Sequence, residues 1–179
     1  MPTSTPDSPA DPRCELVDLI DRDDRVIGRA RRPRVRALNL LHRGVGIVCY
    51  DPRGAVYVHR RTRTKDVFPG LYDMLVGGVV ASGETYDESA AREIAEELGI
   101  RGPTPALLCH YLYIGPRNRS RVAVYEVEWG GPIHHQPEEV EWGAWMAPDQ
   151  LERALVEHRF VPDGLEIWRH LERHGLRRP

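Results

Sequence analysis

"GGVVASGETYDESAAREIAEELGI", residues 77–100, is the stretch from which the rest of the chain can be read. Thr85 and Glu88 have the T-x-x-E spacing of a capping box, in which side chains satisfy the free amides at a helix start. Gly99 stands where such a helix should stop, because glycine adopts the left-handed conformation that closes a C-terminus. At about 100° per residue, Glu93, Glu96 and Glu97 fall within an arc of roughly 100°. Ala91, Ile94, Ala95 and Leu98 cluster opposite. The reading predicts a helix with one stripe for burial and one for charge. Like charges at i,i+3 and i,i+4 cost only about 0.2–0.5 kcal/mol per pair on a solvated face. In a cleft the cost becomes large unless a cation neutralises them. Crowded carboxylate oxygens suit Mg²⁺ or Mn²⁺, which prefer carboxylates, water and phosphate. On the helix alone, a solvated acidic face explains the pattern equally well.

Outward from this helix, short β-branched runs alternate with turns. "CELVDLID" and "VIGRA" read as a hairpin around a polar turn, followed by the basic connector "RRPRVRALNLLHR" with a helical turn in it. "GVGIVCY" and "AVYVHRR" read as strands joined by the turn "DPRG". A further strand is expected within residues 68–84, broken by Gly77, Gly78 and Gly83. After the helix come strands in "PALLCHYLYI", "RVAVYEVEW" and "VEWGAWM". A helix follows from Pro148 to Glu157, and a last one in "PDGLEIWRHLERHG". Hairpins mixed with strand–helix alternation predict an α/β chain with a mixed sheet packed by helices. The expected division is a disordered tail over 1–14, a hairpin and connector over 15–40, and one main domain over 41–175.

Bulk properties narrow the class. The chain has 179 residues, 41% apolar and 29% charged, with a formal net charge of −2. That size supports one domain with a proper core. The near-zero charge gives no global field for nucleic acid or membrane, and no apolar run has the length to span a bilayer. Three cysteines with no metal-ligand spacing fit buried thiols and a cytoplasmic setting.

The helix belongs to a longer pattern. From Gly78 the order is five residues, Glu84, seven residues, Arg92, Glu93, Ile94, one residue, Glu96, Glu97, one residue, Gly99, Ile100. Every fixed position of the Nudix box is matched. At about 7% per residue type, such a match arises by chance at about 10⁻⁸ per start site. The chain resembles Nudix hydrolases over most of its length after residue 15. The resemblance implies an α/β/α sandwich and metal-dependent cleavage of a nucleoside diphosphate linked to a further group, by water attack on phosphorus. It implies that Glu93 and Glu97 are metal ligands and Glu96 a further ligand or the water-activating base. Arg92 would order these acids, the carbonyl near Gly77 or Gly78 would reach the same ion, and Glu84 would support the loop. Glycines there let the backbone come close.

"HRRTRTKDVFPGLYDMLVGG" is also similar to isopentenyl-diphosphate isomerases, which share the fold. His42 matches one of their metal-binding histidines. Their catalytic cysteine, however, falls at Gly77. Two of their histidines fall at Val35 and Val79, and their later acidic pair falls near Arg119 and Arg121. With the carbon-acid chemistry missing and all three hydrolase acids kept, hydrolysis is the expected reaction. A non-catalytic nucleotide-binding module is the other alternative, and it has no need of the full carboxylate set. Arg60, Arg61 and Lys65 become candidate phosphate contacts, against the plainer reading of a solvated basic turn. Glu139, among the acids at 138–141, is a candidate extra acid. The partner expected is a small-molecule diphosphate, with a homodimer offered through the N-terminal hairpin.

Overall fold

The computed structural model describes residues 15–178; the tail expected over 1–14 lies outside them. Leu16–Ile20 (β1) and Val26–Arg31 (β2) pair antiparallel around a turn in which Asp21 accepts the amides of Asp23 and Arg25. Pro33 sits in the first turn of Arg32–Ala37 (α1), where its missing N–H costs nothing. His42–Tyr50 (β3), Val56–Arg61 (β4) and Tyr72–Asp73 (β5) precede Tyr86–Leu98 (α2). Ala106–Ile114 (β6), Arg119–Glu128 (β7), Val140–Met146 (β8), Pro148–Glu157 (α3) and Pro162–Arg173 (α4) complete the order. Among the described residues, eight strands form one mixed sheet. No helix among them is long and apolar enough to cross a membrane.

β3 organises the sheet. One of its edges pairs in parallel with β7 along its full length, from His42–Ser120 to Tyr50–Glu128. Its other edge is shared among three partners. β1 meets it at His42 and β4 at Tyr50. Between them residues 76–80 are stitched on, through Ile47–Val76 bonds at 2.7 and 3.0 Å, Val45 N–H to the Gly78 carbonyl at 2.9 Å, and Val80 N–H to the Arg43 carbonyl at 3.1 Å. The turn after β3 forms as expected, with Asp51 accepting the amides of Arg53 and Ala55. The flanking strands nevertheless pair only at Tyr50–Val56 and then part, which makes room for the glycine segment. The expected strand within 68–84 is correspondingly reduced to the two-residue β5.

The sheet is covered on both faces. α2 packs on Val45, Ile47, Cys49, Val76, Val80 and Tyr125 through Ala90, Ile94 and Leu98. α3 and α4 cover Val48, Tyr50, Val56, Val58 and Val124 with Leu151, Ile167, Trp168 and Leu171. Each such fully buried aliphatic side chain contributes about 1.5–3 kcal/mol relative to exposure. The result is an α/β/α sandwich. A smaller cluster of Val17, Ala30, Val35 and Val79 fastens the hairpin and α1 to the glycine segment.

Candidate active site

α2 begins as its residues dictate. Thr85 Oγ1 accepts the Glu88 amide at 3.2 Å, Glu88 accepts the Thr85 amide at 2.9 Å, and Gly99 closes the helix at φ +70°. Its buried face differs from the expected stripe. Ala91 is exposed and Ala95 only partly covered, while Ala90, Glu93, Ile94, Glu97 and Leu98 are buried. The helix is walled on a second side by the loop before β8, where the amides of His134 and Gln136 bond to the carbonyls of Leu98 and Glu97. That second wall takes Glu93 and Glu97 inward.

Glu93 is 8% exposed and Glu97 4%. Burial raises the pKa of both, and for Glu93 the Glu97 carboxylate adds to the effect. Arg92 binds the outer acids. Its guanidinium donates to both Glu84 oxygens at 2.9 and 3.0 Å, to Glu93 at 2.9 Å and to Glu96 at 3.1 Å. Burial works against the charge of Glu84, but the hydrogen bonds from Arg92, the Ala81 amide and Ser89, with the Arg92 charge, together outweigh it and hold the carboxyl below its usual range. Glu84 also accepts the Ala81 amide at 3.2 Å, which ties the glycine loop to the helix.

Gly78 packs directly on the Glu93 carboxylate, and a side chain at Gly77 would overlap the Val45 carbonyl oxygen. The Gly78 carbonyl is already used by Val45, whereas that of Gly77 accepts no backbone hydrogen bond among the described residues. Glu93 and Glu96 are turned onto Arg92, and no group of three or more His, Cys, Asp or Glu among the described residues is arranged as a metal cluster. The donor set still suits a hard cation: two buried carboxylates whose pKa burial raises, a third acid on the same helix, and a free carbonyl.

These groups line a cleft of about 810 Å³ that is lined by cationic side chains as well. Lys65 contacts Glu139, and both line the cleft. Burial and then the Arg61 charge push the Lys65 ammonium down to about 8. Arg61 donates to the Val67 carbonyl at 3.1 and 3.3 Å. Arg60 does not line the cleft; it pairs with Glu141 at 3.0 Å and lies against Tyr72. Two cations that the sequence reading passed over take part. Arg32 and Arg36, one helical turn apart on α1, line the cleft and share Asp66 at 3.9 and 3.7 Å. Their i,i+4 spacing in the basic connector was the available signal. Val35 and Val79, at positions where the isomerases carry histidines, pack together in an apolar cluster instead.

The fold and this helix define a class. The NUDIX domain family matches residues 40–167. The uncharacterized Nudix hydrolase SCO1686 of Streptomyces coelicolor is 48% identical over 159 residues, covering 88% of each chain. The uncharacterized Nudix hydrolase YfcD of Escherichia coli is 38% identical over 152 residues, 85% of this chain and 83% of that protein. Among solved structures, DR0079 of Deinococcus radiodurans superposes with a TM-score of 0.75 at 29% identity, covering 87% of this chain and 98% of that one. The NUDIX domain of Shewanella oneidensis NrtR, solved with ADP ribose, shares the fold at a TM-score of 0.59 and 19% identity, over 75% and 86% of the two chains. The chain belongs to the Nudix family, and it is a hydrolase of that family.

Proposed function

We propose that this Nudix hydrolase cleaves the diphosphate bond of a nucleoside diphosphate linked to another group, by attack of water on phosphorus. Glu93 and Glu97 would hold a divalent cation, Mg²⁺ or Mn²⁺, with Glu96 and the Gly77 carbonyl as further donors. When bound, such an ion supplies the positive charge that a diphosphate needs before a nucleophile can approach. Arg92 orients Glu84, Glu93 and Glu96 through charge-assisted hydrogen bonds. Glu96, the most exposed of the three helix acids, is placed to accept a proton from the attacking water. Arg61 and Lys65, joined by Arg32 and Arg36, receive the phosphate oxygens. Glu139 holds Lys65 in place until they arrive.

The observation that carries this reading is the pair of neighbouring buried carboxylates sharing one cleft with Arg32, Arg36, Arg61 and Lys65. A fold gains nothing from burying two such acids together unless something cationic joins them. The experiment is a phosphate-release screen over nucleoside diphosphate derivatives with Mg²⁺ and with Mn²⁺, followed by Glu97→Gln. Turnover in the variant should fall by about a hundredfold or more while substrate binding persists. A wild-type chain that binds these compounds and turns none over is a binding module. Homodimerisation is a separate proposal resting on the exposed Val26 and Ile27 of the edge strand β2, and sedimentation equilibrium tests it.

A further inference from the structure

The same cleft contains polar groups that the diphosphate chemistry leaves unused. Asp73 on β5, His42 on β3 and Ser120 on β7 all line it and are 6%, 3% and 2% exposed. His42 Nδ1 lies 2.8 Å from the Leu40 carbonyl, which can only accept, so Nδ1 carries the proton and Nε2 is left as an acceptor. Burial, then the Arg36 charge, pushes His42 down to about 4, so the ring is neutral at physiological pH. Asp73 Oδ1 accepts the Leu75 amide at 3.0 Å. Burial and the neighbouring Asp163 push Asp73 up to about 8, which keeps a proton on its carboxyl group at neutral pH. Asp163 itself is engaged, accepting from Asn118 Nδ2 at 2.6 Å. α4 comes this near only because residue 164 is glycine; a side chain there would collide with Asp73 Oδ1.

Buried donors and acceptors are costly unless something meets them. Here the cleft offers a carboxylic-acid hydroxyl, an imidazole nitrogen and the proton of the Ser120 hydroxyl, whose oxygen already accepts from Asn118 Nδ2 at 3.3 Å, with Leu75 and Val122 as apolar neighbours. That combination fits a ring bearing both donors and acceptors and no charge. We propose that Asp73, His42 and Ser120 form a subsite for the uncharged, hydrogen-bonding half of the substrate, with Asp73 as its specificity-determining residue. The occupant is the nucleoside or the sugar attached beyond the diphosphate. The proposal rests on the diphosphate reading above and adds to it which residues read the rest of the molecule.

The test is calorimetric binding, with magnesium present, of three probes that resist hydrolysis: methylenediphosphonate, α,β-methylene-ADP and α,β-methylene-ADP-ribose. The wild type should bind at least one organic probe more tightly than methylenediphosphonate. A gain already present with α,β-methylene-ADP assigns the subsite to the nucleoside; a gain only with the ADP-ribose analogue assigns it to the sugar. Asp73→Ala should weaken the favoured probe about tenfold and leave methylenediphosphonate unchanged. Asp73→Asn should restore most of the affinity, because its amide oxygen can take the Leu75 amide while its NH₂ replaces the hydroxyl as donor. Ser120→Ala, a smaller change, should weaken the favoured probe a few-fold and serves if Asp73→Ala fails to fold. Equal weakening of all three probes, an unaffected organic probe, or an Asn variant as weak as Ala overturns the proposal. So does a wild type with no preference over methylenediphosphonate. Preference without turnover of any natural diphosphate would instead overturn the hydrolytic reading and leave the subsite standing. Binding of no probe at all removes both.

Discussion

At the scale of single residues, the acids of this chain divide by what their neighbours do to them. Glu84 is kept charged by Arg92, whereas Glu93, Glu97 and Asp73 are driven toward the protonated form. Asp73 gives a measurable consequence in stability. Its pKa is about 8 in the folded chain against an ordinary 3.8. Over that window the folded state retains a proton that the unfolded state has released, so wild-type stability falls as pH rises through it. Asn has no such proton to lose. Asp73→Asn should therefore gain on the wild type by up to about 1.4 kcal/mol per pH unit between about pH 5 and pH 7, read from urea unfolding at each pH. Little of this was legible beforehand. Asp73 in "LYDML" carries no motif, and its importance comes from α4, whose glycine meets it from more than eighty residues along the chain.

At the scale of elements, α2 was the most legible part of the chain because its signals are local. Thr85, Glu88 and Gly99 act within one turn of their own positions, and all three do what their residue types predict. Thr85→Ala should cost about 1 kcal/mol in thermal or urea unfolding while leaving the sheet intact. The buried face was read less well. Periodicity placed Ala91 inward, but it could not reveal that residues 134–136 would wall the helix on a second side. A similar limit applied to the glycine segment. A strand was expected there, and what forms is a narrow insert held against β3 by hydrogen bonds to Arg43, Val45 and Ile47. Gly77→Ala should destabilise the protein by roughly 2–3 kcal/mol, because the added carbon meets a backbone carbonyl rather than a flexible side chain. Circular dichroism melts against wild type would check it.

At the scale of the whole molecule, the cleft is a balance of opposed charges assembled from distant parts. Glutamates come from α2, cations from α1, from the end of β4 and from the loop after it, and Glu139 from the loop before β8. The glutamates could be picked from a local motif. Arg32 and Arg36 could not be placed at the site, because nothing near them in the chain states that α1 closes over the cleft. A divalent ion that binds this site should stabilise the fold, since it relieves carboxylates buried side by side. Magnesium at about a hundred times its dissociation constant should raise the melting temperature by roughly 5 °C or more. Glu97→Gln should melt higher than wild type without the ion and lose most of the response to it.

The three-way sharing of β3 also bears on how the enzyme comes into being. Among the described residues β3 takes its only full-length partner from β7, which the ribosome delivers some seventy residues later. Until then the insert carrying Gly77 and Gly78 has an incomplete rail to lie against, and pairings so far apart in sequence form late. A nascent chain halted before residue 119 would carry the entire acidic helix and yet be inert. Catalytic competence should appear abruptly during synthesis, at the moment the downstream strand emerges and docks.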